Sequence, residues 1–212
     1  MTQRKQILLL PLILSLYSQL ALGYVEKEAD KILLDALQMR TMSAVFFQTV
    51  SNIETGQELS SSSGKIVFSK PDFVKCSYDA PLNQIFIKNG ALISVYDKDL
   101  MQLSKMSQSI AHGTPFDFLI RDYQIVKSFY KIDKLPDSGT SSIIKITPLD
   151  LESDYYQIIL EIKETLINKI KIFYRIGRVI EIKFSEIQIN LNLDEKEFQL
   201  ELPSNIAIEE VN

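Results

Sequence analysis

Apolar side chains at three- and four-residue spacing predict one amphipathic helix near the start of the chain. The helix spans Glu26 to Arg40, and most of its charged residues lie on the opposite side. Its apolar positions are Ala29, Ile32, Leu33, Ala36 and Leu37. Beyond this segment the period of the apolar positions changes from about 3.6 to about 2, which is typical of β-strands.

Alternating or short apolar segments predict about ten antiparallel strands joined by tight turns. They span residues 44–50, 64–69, 73–78, 84–88, 91–96, 100–105, 142–147, 155–163, 168–174 and 178–193. The pair Asn89-Gly90 lies between two of them and is typical of a hairpin turn, because both residues tolerate positive φ. The four consecutive serines at 60–63 are predicted to form a loop.

The last predicted strand contains a change in side-chain parity. Ile180 and Phe184 share one face, whereas Ile187 and the apolar residues after it fall on the other. A one-residue slip near Ser185-Glu186 would return all of them to the same face. The sequence therefore predicts a β-bulge at this point, as a strongly curved sheet requires.

A second, short helix is predicted from Phe116 to Ile120, because Thr114 suits the N-cap and Pro115 suits the first helical position. Since no linker or internal repeat interrupts residues 24–212, they are expected to form a single domain. The combined elements predict a mainly β, α+β fold with a strongly curved sheet or open barrel. Its concave face would be apolar, so helices or a ligand must cover it.

Residues 1–23 are predicted to be a cleavable secretory signal peptide. Arg4 and Lys5 form a basic start, residues 7–16 an apolar run, and Ala21-Leu22-Gly23 a small-x-small cleavage site. The apolar run is short and interrupted, which disfavours a membrane span, although an uncleaved anchor stays an alternative. An exported, soluble protein beginning near Tyr24 is expected, and its location would be the periplasm.

Charge and cysteine content narrow the possible partners. The formal net charge is −4, and no block of lysines and arginines interrupts the chain, so nucleic acid is not expected as a partner. The single cysteine, Cys76, lies far from the predicted cleavage site, so it cannot carry a lipid anchor there. It also cannot form an internal disulfide, so packing must stabilise the domain.

Enzymatic chemistry is not predicted. The chain has no Gly-x-Ser-x-Gly, His-Glu-x-x-His or Cys-x-x-Cys motif. A dyad or zinc site using Cys76 and His112 would require two unrelated segments to meet. Glu181, Glu186 and Asp194 could form a glycosidase-type pair, but their setting is typical of a solvated sheet face. No catalytic residue, metal or cofactor is therefore expected.

Short motifs follow one another in a characteristic order after the signal. They are Met42–Gln48, Gly64–Pro71, Phe73–Pro81, Ile85–Gly90, Val95–Asp97, Thr114–Phe116, Thr147-Pro148 and Phe198 with Pro203. Each motif is short and mostly structural. Their order and spacing resemble those of the outer-membrane lipoprotein carrier (LolA) family along almost the whole mature chain.

This resemblance implies a half-open β-barrel of about ten to eleven strands with a helical lid over an apolar cavity. It also implies a monomeric periplasmic chaperone whose partners are acylated lipoproteins, an inner-membrane ABC-type release complex and, if present, an outer-membrane receptor. The same fold also occurs in envelope-stress sensors. A carrier of another amphiphile, such as a glycolipid, therefore stays an alternative, as does a sensor module.

The resemblance also suggests site residues. Lys70 stands where the family has an arginine before proline that holds the lid, although lysine lacks the planar donor fork of arginine. A solvated turn residue is the alternative interpretation of Lys70. The candidates for lining an acyl cavity, each of which could instead be ordinary core, are Phe46, Ile66, Phe68, Ile87, Tyr96, Phe116, Leu119, Ile158 and Ile182.

Overall fold

The computed structural model describes residues 27–107 and 117–211. The predicted signal peptide, the helix cap at Thr114-Pro115, His112 and the cavity candidate Phe116 lie outside these residues. Within them the protein is built on one continuous sheet, which confirms the mainly β fold class.

In residues 27–107 and 117–211, three α-helices and one 3₁₀-helix accompany the strands. Helix α1 includes residues 27–36, α2 spans Asp117–Ile120, α3 spans Tyr123–Phe129, and the 3₁₀-helix spans Glu195–Phe198. The strands are β1 Thr41–Asn52, β2 Glu58–Ser69, β3 Phe73–Tyr78, β4 Gln84–Asn89, β5 Leu92–Asp97, β6 Gln102–Ser107, β7 Tyr130–Ser138, β8 Ser141–Pro148, β9 Tyr155–Lys163, β10 Leu166–Tyr174, β11 Arg178–Ile189 and β12 Ala207–Val211.

The strands form a curved open sheet in the order β12-β6-β5-β4-β3-β2-β1-β11-β10-β9-β8-β7. All neighbours are antiparallel except β12, which pairs parallel with β6. Most neighbours are consecutive in the chain, because tight turns such as the one at Gly90 connect them. The long-range pairing of β1 with β11 joins the two halves of the sheet.

The two faces of the sheet are distinguished by register. Phe46 pairs with Gly64, which in turn pairs with Tyr78, so these residues share one face. We call this the inner face, because its side chains and the helices form the main apolar cluster. The opposite side is the outer face. In α1 the buried positions are Ala29, Leu33 and Ala36, which match the predicted stripe.

The predicted bulge in β11 is confirmed. Ser43 of β1 pairs with Gln188, whereas Val45 pairs with Ser185, so β11 contains one residue more than β1 between these pairs. Glu186 adopts a φ of 52°, the left-handed conformation that accommodates the extra residue. Phe184 and Ile187 consequently both contact the inner cluster, although they differ in parity.

Several element boundaries were predicted wrongly. The serines at 60–63 lie inside β2, where they pair with β1 residues 47–50, because long-range pairing overrides their weak strand preference. The predicted strand 178–193 ends at Ile189. Neither α3 nor β7 was predicted. Strand β7 is an edge strand that contains Pro136, a residue that edge strands tolerate, and its apolar alternation is weak.

Candidate functional site

Helices α1, α2 and α3 cover the inner face and form a lid. Polar contacts hold this lid at its edges. The Lys134 ammonium on β7 donates to Glu28 of α1 at 2.8 Å, and Lys127 of α3 pairs with Asp30 of α1. Because these pairs are partly exposed, we expect each to contribute little to stability. Their geometry nevertheless aligns α1 with α3 and with the sheet edge.

Lys70 connects the ends of two lid helices to the sheet. It follows β2, and its Nζ donates to the carbonyl of Leu37 at 2.6 Å and to that of Arg121 at 3.2 Å. These carbonyls lie just after the last helical residues of α1 and α2. Helix C-termini have unpaired carbonyls and a partial negative charge, so a cation is favourable there. Lys70 thus bonds to the ends of two lid helices through a single ammonium group, without the planar guanidinium that an arginine would provide.

Burial and charge act on Lys70 in opposite directions. Burial lowers its pKa below the ordinary lysine value, because the ammonium loses water, and the Asp122 carboxylate partly opposes this by raising the pKa. The side chain is therefore a half-buried group facing the lid and differs from a solvated turn lysine. Loss of its proton would leave two N–H donors for the two carbonyls.

Six of the nine cavity candidates meet on the inner face. They are Phe46, Ile66, Phe68, Leu119, Ile158 and Ile182, and all belong to the cluster beneath the lid. Leu119 comes from α2, whereas the other five come from four different strands. Each is at most 2% exposed, so the lid helices pack directly on these side chains. The space that a ligand would need is occupied by the lid in this state.

Gly64 allows the aromatic packing at the centre of the inner face. The rings of Phe46 and Tyr78 meet edge to face, with their centroids 5.1 Å apart, on either side of Gly64 in the register. A Cβ atom at Gly64 would lie 2.1 Å from the carbonyl oxygen of Ser77 and 3.0 Å from the Phe46 ring. A side chain at this position is therefore excluded by close backbone approach.

The structure does not bring Ile87 and Tyr96 to the inner face, contrary to expectation. Ile87 pairs with Lys75 of β3, and Tyr96 pairs with Ile85 of β4, all on the outer face. Three consecutive apolar residues in β4 make both parities look buried from sequence. Long-range packing decided between the two parities, and Phe86 is the β4 residue that contacts the inner cluster.

The segment after β11 covers this outer face. The ring of Phe198 packs against that of Phe73 at a centroid distance of 5.3 Å, and Lys75 donates to the carbonyl of Gln199 at 3.1 Å. Ile87, Tyr96 and Phe198 are all buried. The outer face thus has an apolar cluster of its own, which does not belong to the inner face.

The described residues line a pair of open cavities where the lid meets the sheet. The first measures about 200 Å³ and is lined by Pro71, Asp72, Lys88, Ile120, Arg121, Asp122 and Ile125. The second measures about 270 Å³ and is lined by Arg121, Phe129, Tyr130, Pro148, Asp150 and Ser153. Sequence reasoning missed Lys88 and Arg121 altogether. No signal in the sequence marked them, because only the pairing of β4 with β3 and β5 places Lys88 between Val74 and Ile93 on the inner face.

The residues considered for catalysis have structural settings. Cys76 is buried on the inner face opposite Ile66 and Phe86. Burial raises the pKa of the Glu181 carboxyl, but its ion pairs with Lys171 and Lys183 lower the pKa by more, so the net shift is downward. Asp194 caps the 3₁₀-helix. Glu186 lies in the bulge. Residues 27–107 and 117–211 contain no group of three or more side chains suited to hold a metal.

A curved open sheet with an apolar inner face and a helical lid defines a class of lidded half-barrels. Residues 37–201 match the family model of the outer membrane lipoprotein carrier protein LolA, and the chain belongs to this family. It is therefore a LolA-type carrier. In the part of the chain that the structure describes, no helix is long and apolar enough to cross a membrane.

Named relatives extend over most of the chain. An outer-membrane lipoprotein carrier protein of Halorhodospira halophila is 25% identical over 82% of this chain and 81% of its own length. One from Hahella chejuensis is 24% identical over 92% of this chain and 97% of its own length. Among solved structures, an uncharacterized conserved protein from Thermus thermophilus superposes with a TM-score of 0.54 at 11% identity, covering 87% of this chain and 99% of its own. That similarity shows the fold.

Proposed function

We propose that this protein is a soluble periplasmic chaperone that binds the acyl chains of lipoproteins on its inner face beneath the lid. It would carry them as a monomer from an inner-membrane ABC-type release complex to the outer membrane, and to a receptor there if one exists. It would use neither catalysis nor a cofactor. Family membership supports the lipoprotein cargo, and the continuous apolar inner face beneath α1–α3 carries the proposal for the binding mode.

The energetics require an enclosed apolar surface. Burial of one methylene group is favourable by about 0.8 kcal/mol. Moving an acyl chain of about 16 carbons from the membrane into water therefore costs a free energy on the order of 12 kcal/mol. A carrier must offset most of this cost. The inner-face side chains offer a matching apolar surface, and Leu119 occupies part of it in the closed state.

Release requires that retention be moderate. Since the lid helices pack on the surface that would bind the chains, lid and ligand compete for it. Opening the lid breaks the Lys70 bonds to Leu37 and Arg121 and exposes apolar residues. Every contact regained on closure reduces the net affinity for cargo. A lidded carrier of this kind would therefore pass its cargo to a site with a more accessible apolar surface.

A release assay tests the proposal. Spheroplasts that make a triacylated lipoprotein are incubated with the mature protein carrying a photo-crosslinking leucine analogue at Leu119 or, as control, at the buried outer-face residue Leu103. We expect a soluble one-to-one complex that crosslinks to the acyl chains from Leu119 and not from Leu103. A cargo variant lacking its acylated cysteine should stay unbound.

The possible failures have different meanings. If no lipoprotein is released but other lipids crosslink from Leu119, the cargo is another amphiphile and the lipoprotein proposal is wrong. If crosslinks form equally from Leu103, the inner face is not the binding surface. If nothing crosslinks from either position, the inner face is a permanently packed core.

A further inference from the structure

Gln48 is a polar residue within an apolar row of the inner face. It has the same parity in β1 as Phe46, so its side chain lies on that face. The register aligns it, across β11, β10, β9 and β8, with Ile182, Ile170, Leu160 and Ile144. These four side chains are fully buried and belong to the cluster beneath the lid. A side-chain amide thus lies beside the surface on which acyl chains would bind.

The carbonyl oxygen of this side chain is buried without a hydrogen-bond donor. No group in the described part of the chain donates to Gln48 Oε1, and its cross-strand neighbours Ile182 and Ser62 do not supply a donor. A buried acceptor that has lost water and gained no donor costs about 1–3 kcal/mol. Native proteins leave few such atoms unpaired, so each one requires an explanation. A donor for Oε1 would come from a molecule bound on the inner face.

Gln48 stands at the border between a buried and a more accessible part of the inner face. Along β1, Phe46 before it is buried, whereas Val50 after it is half-buried. Strand β2 changes in the same direction, from the buried Gly64 to the exposed Ser60. An amphiphile has the same division, because its acyl chains are apolar and the group that joins them to the rest of the molecule is polar. With the chains on the buried part, this joining group would lie beside Gln48.

We propose that Gln48 recognises the amide that joins an acyl chain to the polypeptide of the cargo, with Oε1 accepting a hydrogen bond from the amide N–H. This inference rests on the proposed carrier function and adds a polar specificity to it. Oε1 can only accept, and an ester link has no N–H to donate. The contact therefore favours N-acylated cargo over amphiphiles whose chains are attached through esters alone.

Two ligands that differ in a single group test this contact on the mature protein by isothermal titration calorimetry. N-Decanoyl-alanine methyl ester has an amide N–H where O-decanoyl-lactic acid methyl ester has an ester oxygen. The wild type should bind the amide about 5- to 10-fold more tightly, because only the amide satisfies Oε1. Gln48→Met keeps the side-chain length without the acceptor, so it should bind the ester at least as tightly as the amide. Gln188→Met, at an exposed position of β11, should keep the wild-type preference.

An NMR measurement on the wild type tests the same contact without a variant. The amide ligand is labelled with ¹⁵N, and its N–H resonance is followed in the bound state. A hydrogen bond to Oε1 should move the amide proton downfield and slow its exchange with water relative to the free ligand. In folded Gln48→Met both effects should be lost. A bound amide proton that shifts no further in the wild type than in Gln48→Met would overturn the contact.

The outcomes separate the contact from the carrier function. Equal affinity of the wild type for the two ligands, tighter binding of the ester, or an unchanged preference in Gln48→Met would overturn the role of Gln48 and leave the carrier function standing. A preference that is lost equally in Gln188→Met would also overturn it, because the effect would not be specific to the inner face. If neither ligand binds, the acyl-binding function fails and the contact fails with it.

Discussion

The contacts of Lys70 predict how firmly the lid is held. In Lys70→Met the side chain keeps its length and apolar stem but loses both bonds, at 2.6 Å to Leu37 and at 3.2 Å to Arg121. We expect the folded protein to persist with a lid that opens more often. Methionine removes the donor without adding bulk, so packing around the position should change little.

The magnitude follows from opposing contributions. A hydrogen bond from a charged donor is worth about 1.5–3 kcal/mol, and the 3.2 Å bond is the weaker of the two. Desolvation of the ammonium, which lowers the Lys70 pKa, offsets part of that gain. We therefore expect the closed lid to lose about 1–2 kcal/mol, which raises the open population about 5- to 30-fold.

Hydrogen–deuterium exchange measures this population directly. The amide of Leu37 bonds to the Leu33 carbonyl at 2.9 Å in α1, and the amide of Val126 bonds to the Asp122 carbonyl at 3.0 Å in α3. Both should exchange about 5- to 30-fold faster in Lys70→Met when exchange follows local opening. Lys75→Met is the matched control, because this lysine bonds a single carbonyl on the outer face.

Unchanged exchange of the lid amides in a folded Lys70→Met protein would refute the reasoning, because Lys70 would then not hold the lid. Equal acceleration in Lys75→Met would show that the effect is global destabilisation. Lys70→Arg should keep the wild-type protection, since its guanidinium can donate to both carbonyls.

Three further results are expected. Gly64→Ala should lower the free energy of unfolding in urea by about 3 kcal/mol or more, because its Cβ would lie 2.1 Å from a backbone oxygen. Gly56→Ala should cost only about 1–2 kcal/mol, because the space around Gly56 is open and only its φ of +70° is unfavourable for alanine. Similar losses in the two variants would contradict the close approach at Gly64. Ile158→Ala on the inner face and Ile87→Ala on the outer face should each lower the free energy of unfolding by about 2–5 kcal/mol. When both variants are compared at equal folded fraction, only Ile158→Ala should alter the affinity for acyl chains. Equal effects of the two variants on binding would argue against a single binding face. Because burial lowers the Lys70 pKa, the native state binds fewer protons than the unfolded state between that lowered pKa and 10.5. The free energy of unfolding of the wild type should therefore rise relative to that of Lys70→Met as the pH increases across this interval. Urea titrations in which the wild type instead loses stability relative to Lys70→Met would contradict this expectation.

Local signals in the sequence predicted most of the sheet. The hairpin turn after β4 and the slip at Ser185-Glu186 depend on a few neighbouring residues. The slip is found where expected, whereas the two-residue turn is Gly90-Ala91, one residue later than predicted, because Asn89 still pairs with Leu92. The serines at 60–63 and strand β7 were missed, because their strand conformation depends on distant partners more than on their own apolar pattern.

Long-range packing decided the site. Ile66 and Ile87 are both apolar strand residues, and only the pairing of β2, β3 and β4 shows that they lie on opposite faces. The charged residues show the same limit. No periodicity indicates that Lys88 is buried or that Arg121 of the lid lines the same cavity.

The sequence by itself determined the β-rich class, the bend in β11 and the position of Lys70 before a proline, because propensity, turn chemistry and parity act within a few residues. Only the tertiary structure decided which parity of β4 faces inward, which carbonyls Lys70 reaches and which residues share a cavity. These features join elements far apart in the chain, so they depend on how the whole sheet curves and how the lid packs on it.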